Sequence, residues 1–206
     1  MCDHSDRVIS INLADQSLSG TLPSDLSSLS HLSSLILDGN SFSGALPSLA
    51  DLSLLQDIYL DGNNFTSVPP KCFQGLTSLQ ILTMSHNLNL LPWSFPSELS
   101  ESPSLVTLHA VSCNIMGSIP DIFDSFAYLQ DLTLSYNNLT GSLLSSLGRS
   151  GVANLWLNHQ LLGLSGTIAV LANMTQLYEV WLHANQLTGP IPDLWFGCAV
   201  RSTVER

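Results

Sequence analysis

Leu177–Pro192, LYEVWLHANQLTGPIP, reads as LxxLxLxxNxLxGxIP with Val180 in place of one leucine. Leu177, Val180 and Leu182 suit a short strand with one face buried. Asn185 ends that strand, and Leu187, Gly189, Ile191 and Pro192 carry the chain through a second extended piece and a turn. Sixteen such residues cannot bury their own apolar face. They require copies stacked on either side.

The copies are present. The same frame fits eight times, its third core position falling at Leu13, Leu37, Leu60, Met84, Ala110, Leu134, Leu157 and Leu182. Successive separations are 24, 23, 24, 26, 24, 23 and 25 residues. The asparagine position reads Gln16, Asn40, Asn63, Asn87, Cys113, Asn137, Gln160 and Asn185. The Gly-x-Ile/Leu-Pro ending is intact at Gly20–Pro23, Gly44–Pro47, Gly117–Pro120 and Gly189–Pro192. Period and consensus together are those of a leucine-rich repeat. The predicted fold is therefore an α/β solenoid of about eight repeats, with a parallel β-sheet on the concave face and an irregular or short helical convex side.

The consensus has a physical reason. Each repeat contributes one strand to the parallel sheet, and its leucines share a continuous core with the repeats before and after. An asparagine side chain has both donors and an acceptor. Inside a tight coil it can satisfy the backbone of adjacent turns, where an unpaired group would cost about 1–3 kcal/mol. Gln16, Gln160 and Cys113 are read as substitutes in that ladder.

Net charge is −11, and only Arg7, Lys71, Arg149, Arg201 and Arg206 are positive. The chain is 45% apolar but only 10% charged. Without a basic stripe, nucleic acid and polybasic membrane contact are excluded as partners. No apolar run approaches the roughly 20 residues of a membrane span. Met1-Cys2-Asp3-His4 has neither the basic start nor the apolar core of a signal peptide. Three glycosylation sequons, at Asn64, Asn138 and Asn173, argue for extracellular origin all the same. The expectation is an N-terminus that is truncated or mis-started.

Along the chain the solenoid is placed at residues 1–193, and 194–206 as a divergent tail. Asp25–His31 and Leu49–Leu54 are predicted as single helical turns on the convex side. Two stretches break the frame. Leu88–Ser102 holds Pro92, Trp93, Phe95 and Pro96 and predicts a local bulge; Gln160–Gly166 carries two extra residues. Cys72 has no partner evident in the sequence, so a free, buried thiol is expected. After Asp193 no new repeat begins, which leaves the eighth without an evident cap.

Several segments carry a family resemblance. Leu155–Asp193, with its Trp156-Leu157-Asn158-x-Gln160 and Asn173-Met174-Thr175 segments, resembles the transmembrane kinase (TMK) group of plant leucine-rich-repeat receptor-like kinases. Phe73–Gln80 and Gly44–Leu49 fit the same ectodomain, and the likeness covers roughly residues 2–193. It implies an ectodomain at the extracellular face of the plasma membrane, attached to a span and a cytoplasmic kinase. It also implies growth and auxin signalling, with auxin-binding proteins or a co-receptor as partners. Cys2 before Arg7-Val8 resembles the end of a plant-type cap whose disulfide partner lies upstream. The insertion at Leu161–Gly163 departs from the pattern.

Concave-face residues are candidates for recognition. Between the second and third core residues the sequence places Asn12, Ile36, Tyr59, Thr83, His109, Thr133, Trp156 and Trp181. Exposed large aromatics often anchor interfaces. Trp156 and Trp181 therefore mark a patch for a protein or small extracellular ligand, with Tyr136, Asn158, His159, Tyr178, Glu179 and His183 around it and Tyr59 and His109 further along. The competing reading is that the tryptophans brace each other across strands. His159 and His183, with only Glu179 nearby, make a poor metal site, because zinc usually takes four ligands. Asp15, Asp38 and Asp61 recur near strand ends as a solvated face would. There is no His-Glu-x-x-His, Gly-x-Ser-x-Gly or phosphate-cradling loop, so neither catalysis nor a cofactor is expected. The alternative to a receptor ectodomain is a secreted soluble repeat protein, such as a polygalacturonase-inhibitor-like protein or a decoy.

Overall fold

The computed structural model describes residues 7–192. Cys2, Cys198 and the tail at 194–206 lie outside the described residues. Eight three-residue strands, Ser10–Asn12, Ser34–Ile36, Asp57–Tyr59, Ile81–Thr83, Thr107–His109, Asp131–Thr133, Asn154–Trp156 and Glu179–Trp181, form one sheet in sequence order. Each pairs in parallel with the next and without slippage, so Leu35, Ile58, Leu82, Leu108, Leu132 and Leu155 stack into one inward column. These six side chains are buried, together with Leu37, Leu60, Leu134 and Leu157 two positions on. Period-2 alternation alone fixes which face is core and which is open.

The ladder predicted from the asparagines is present. Asn137 Oδ1 accepts from the Cys113 and Ile115 amides, both at 3.0 Å, while Nδ2 donates to Ala110 O at 2.7 Å and Leu134 O at 2.9 Å. Asn40, Asn63, Asn87 and Asn185 likewise each donate to carbonyls of their own and the preceding repeat. Gln160 does the same with its longer arm, reaching Leu134 O at 2.9 Å. Cys113 keeps half the pattern, its thiol donating to Met84 O at 3.0 Å. Gln16 turns instead to Ala14 O in its own repeat. To aim this side chain inward, the preceding residue turns left-handed in every repeat: Asp15, Gly39, Gly62, His86, Ser112, Tyr136, His159 and Ala184 all have φ between 54° and 67°.

The second extended pieces pair into three smaller parallel sheets. Ser19–Thr21, Ser41–Ala45 and Asn64–Ser67 make one; Trp93–Ser94, Ile115–Ser118 and Asn138–Thr140 another; Ser165–Thr167 and Gln186–Thr188 the last. The interruptions fall where the sequence frame breaks. At the first, Leu88 and Leu91 are exposed, Phe95 is buried, and Trp93 Nε1 donates to Cys113 O at 2.8 Å. At the second, Leu161 and Leu162 protrude, and Gln186 Nε2 closes the loop onto Leu162 O at 2.8 Å.

The convex side is irregular with short helical turns, as expected, one of them inside 25–31, and corrects only the turn placed at 49–54. The described residues contain no α-helix; five 3-10 turns occur, at Leu26–Ser28, Ser97–Glu101, Phe123–Ser125, Leu147–Arg149 and Ala169–Asn173. The segment 49–54 forms hydrogen-bonded turns instead of a helical turn. Spacing explains both outcomes. Convex apolar residues recur every three positions, as in Leu26/Leu29/Leu32, Leu49/Leu52/Leu55 and Ile168/Leu171/Met174/Leu177. A period of 3.0 is that of 3-10 geometry. The bonds follow it: Leu171 N to Ile168 O at 3.0 Å, Met174 N to Leu171 O at 3.0 Å and Leu177 N to Met174 O at 3.1 Å. Cys72 is buried and unpaired, as expected.

Candidate functional site

The strand register brings the concave column together in the order read from the sequence: Asn12, Ile36, Tyr59, Thr83, His109, Thr133, Trp156, Trp181. At its far end Trp156 and Trp181 sit directly opposite each other, centroids 4.5 Å apart and planes 10° from parallel. Trp181 Nε1 donates to Glu179 Oε1 at 3.0 Å. Trp156 Nε1 is buried and has no hydrogen-bond partner among the described residues.

A second group lies beside the stack, at the ends of the strands. Tyr136 and His159 occupy successive left-handed corners, and their rings stack at 4.4 Å and 8°. His159 meets the His183 ring edge-on at 4.8 Å, and Trp181 lies 6.2 Å from His183. Asn158 ties the group together. Its Oδ1 accepts from Ser135 Oγ at 2.6 Å, and its Nδ2 lies 2.9 Å from His159 Nδ1 and 3.5 Å from His183 Nε2. Because that amide nitrogen donates, the facing imidazole nitrogens are acceptors. The result is one continuous aromatic surface over repeats six to eight, held by its own contacts.

Three sequence candidates lie apart from it. The side chain of Tyr178 is 76% exposed at the start of its strand and makes no ring contact with the cluster. His109 is half-buried two strands from Trp156; burial pushes its imidazole pKa below the ordinary value, and the Asp131 and Asp61 carboxylates oppose that shift. Tyr59 lies four strands from Trp156. Its hydroxyl pKa is raised by burial and then by Asp57, Asp38 and Asp61, so its ring stands in the field of three carboxylates. The described residues contain no group of three His, Cys, Asp or Glu side chains able to hold a metal.

Sequence reasoning read Asp38 and Asp61, with Asp15, as a solvated face and did not single out Asp57. Asp61 instead accepts from the Thr83 hydroxyl and, at 2.7 Å, from Ser85 N. Asp57 is partly buried, and burial raises its pKa. The signal was available in the concave positions, where Asp38, Asp57, Asp61, Asp131 and Glu179 alternate with core leucines and no lysine or arginine occurs. Among the described cations, Arg7 precedes the first strand and contacts His31 at 2.9 Å. Arg149 pairs with Asp124 on the convex side at 2.9 Å. Lys71 lines a convex groove of about 460 Å³ with Pro70, Trp93 and Glu98.

The sequon asparagines avoid this face. Asn64 and Asn173 are exposed, on a second-sheet strand and at the end of a convex turn. Asn138 is partly buried on a second-sheet strand and donates to Asn114 Oδ1 at 2.6 Å.

Comparison with known proteins agrees with the fold. Family models of the leucine-rich repeat match residues 48–90 and 128–150. The chain is 56% identical to the receptor-like kinase TMK4 of Arabidopsis thaliana over 188 residues, 91% of its own length and 20% of that protein's. It is 41% identical to TMK2 of the same plant over 93% of its length and 22% of the relative's. The chain thus spans about one fifth of these relatives. Among solved structures it is similar to the plant peptide hormone receptor RGFR1 in complex with RGF2, with TM-score 0.82, 27% identity, and coverage of 91% of this chain and 30% of that one. It is also similar to the Arabidopsis receptor kinase HAESA in complex with the peptide hormone IDA and the co-receptor SERK1, with TM-score 0.83, 28% identity, and coverage of 90% and 31%. With its repeats in register and this likeness along 91% of its length, the chain is a leucine-rich-repeat solenoid similar to part of the plant receptor-like kinases of the TMK group.

Proposed function

We propose that the chain is an extracellular recognition module that binds a protein or peptide on its concave face, as part of a TMK-like receptor kinase at the plasma membrane acting in growth and auxin signalling. The observation that carries this reading is the aromatic surface of Trp156, Trp181, Tyr136, His159 and His183, gathered on one open sheet face. Rigid aromatics on a preformed scaffold lose little entropy on binding and are common interface anchors. The sequons at Asn64, Asn138 and Asn173 stand off this face, so glycans would leave it free. The peptide and co-receptor complexes of the structural neighbours support the same class of ligand. Auxin-binding proteins and a co-receptor, implied by the family resemblance, are the partners to try first.

The test is a Trp156→Ala, Trp181→Ala double variant, assayed by calorimetry against auxin-binding proteins and candidate co-receptor ectodomains. Loss of affinity of tenfold or more, with the melting transition still cooperative, is the expected result. Unchanged affinity with lower stability would mean that the stack is a brace and the recognition surface lies elsewhere.

A further inference from the structure

We propose that the ends of the seventh and eighth strands form a subsite for an uncharged hydrogen-bond acceptor, in which buried Asn158 sets the imidazole tautomers so that His159 and His183 present N–H donors beside the tryptophan stack. The ligand chemistry that fits is a carbonyl, such as a backbone amide of an extended peptide, next to an aromatic or apolar side chain. The inference rests on the concave aromatic surface being the recognition face.

Asn158 carries the argument. It is buried, and its Oδ1 accepts from Ser135 Oγ at 2.6 Å, which leaves Nδ2 to face the imidazoles. Nδ2 lies 2.9 Å from His159 Nδ1 and 3.5 Å from His183 Nε2. An amide nitrogen only donates, so both facing ring nitrogens are acceptors, and the hydrogens of the neutral imidazoles sit on His159 Nε2 and His183 Nδ1. Among the described residues no hydrogen bond engages either of these two nitrogens, and both rings are partly exposed. Trp156 Nε1 is a third donor without a partner, buried in the same cluster. The rings are held before any ligand arrives, His159 against Tyr136 at 4.4 Å and against His183 at 4.8 Å. Donors fixed in this way lose little freedom on binding. Charge selects the class of acceptor. The carboxylates on the flanking strands are Glu179, bonded to Trp181 Nε1, and Asp131, bonded to Asn154 Nδ2, and these strands carry no lysine or arginine. A carboxylate ligand would meet like charge there; a carbonyl does not.

The first readout needs no ligand. Long-range proton–nitrogen NMR correlations of the whole chain at about pH 8, where imidazole is neutral, report each tautomer. His159 is expected as the Nε2–H form and His183 as the Nδ1–H form; the opposite form in either ring overturns the proposal. Asn158→Asp, whose carboxylate only accepts, should turn both hydrogens inward, and tautomers unmoved by it would overturn the role given to Asn158. Binding is then read with three probes that share a phenyl ring: N-acetylphenylalaninamide, 3-phenylpropionate and phenethylamine. The neutral amide is expected to bind about tenfold more tightly than the other two, and His159→Phe with His183→Phe, which keeps the aromatic faces, should cost it about fivefold or more. His183→Phe alone, away from the left-handed corner, repeats the test should the double variant fold poorly. No binding of the amide, equal binding of all three probes, or unchanged affinity in the phenylalanine variants overturns the subsite. A protein partner that loses affinity in the tryptophan double variant but keeps it in the phenylalanine variants would uphold the concave surface and overturn the donor subsite.

Discussion

His159 and Tyr136 hold their aromatic rings on backbone that L-residues rarely adopt, with φ of 55° and 58°. The equivalent corners in repeats two and three are Gly39 and Gly62, which adopt it without a steric penalty. A left-handed corner costs a residue with a Cβ about 1–2 kcal/mol, so ring-bearing corners are kept against stability. Ala184 isolates that cost, since it is exposed and its methyl enters no aromatic contact. Ala184→Gly is expected to raise unfolding free energy by about 0.5–1 kcal/mol, the left-handed penalty less the extra chain entropy of glycine. The reverse change, Gly39→Ala, should cost about the backbone term, because the group its Cβ would meet is the carboxylate end of the exposed Asp15 side chain, which can turn aside. Urea titration of both variants measures the pair, and a destabilised Ala184→Gly would refute the argument. His109 makes a second prediction at this scale. Burial lowers its folded pKa below 6.5, so the neutral ring's contribution is present above the unfolded value and is lost as pH falls through the folded one. Replacing it by glutamine should flatten the stability–pH curve in that acid window, leaving the neutral limb unchanged.

At the scale of the element, the ladder shows what the sequence made legible. Eight positions in one register fixed the strand order, the inward column and the Asn-to-backbone bonds, because each depends on residues about 24 apart being chemically alike. The concave column of Tyr59, His109, Trp156 and Trp181 followed from the same alternation. The convex turns were read less well, since a three-residue apolar spacing in Leu49/Leu52/Leu55 resembles a helix until it is counted against 3.6. The Tyr136–His159 and His159–His183 contacts were legible only as proximity; ring orientation depends on left-handed corners that no residue type at those positions announces. The ladder itself is testable at Asn137, whose side chain meets two amides and at least two carbonyls in the interior. Asn137→Ala should destabilise by about 3–5 kcal/mol, because each orphaned backbone group costs about 1–3 kcal/mol and water can relieve only some. A loss below about 1 kcal/mol, read from chemical denaturation, would mean that the ladder bonds are individually dispensable.

The whole molecule is a one-dimensional stack in which each repeat meets only its neighbours, so its stability is close to a sum of repeats and junctions. The main sheet runs unbroken across all eight strands, but the second sheet is cut between repeats three and four and between six and seven. At the first cut Leu88 and Leu91 turn outward and Leu91 N still reaches Thr66 O at 2.9 Å; at the second, Leu161 and Leu162 turn outward, and an isolated bridge from Ser142 to Ser165 crosses with the bonds from Leu161 N to Asn137 O at 2.8 Å and Ser165 N to Gly141 O at 2.7 Å. Each cut removes ladder bonds from one side of a junction while leaving the concave strands paired. Those two junctions should therefore be the weakest, and the solenoid should open in blocks of repeats one to three, four to six and seven to eight. Native-state hydrogen exchange checks this. Amides within Ser41–Ala45 and within Ile115–Ser118 should each exchange with a single free energy shared across their own block, and the two values should differ. The aromatic surface spans the second cut, with Tyr136 on one side and His159, Trp156, Trp181 and His183 on the other. A ligand lying across it would bridge the weaker junction, so binding should slow exchange on both sides together and merge the last two blocks into one. Uniform exchange through all eight repeats, with or without ligand, would show that the concave sheet alone sets cooperativity and that the interruptions carry no energetic boundary.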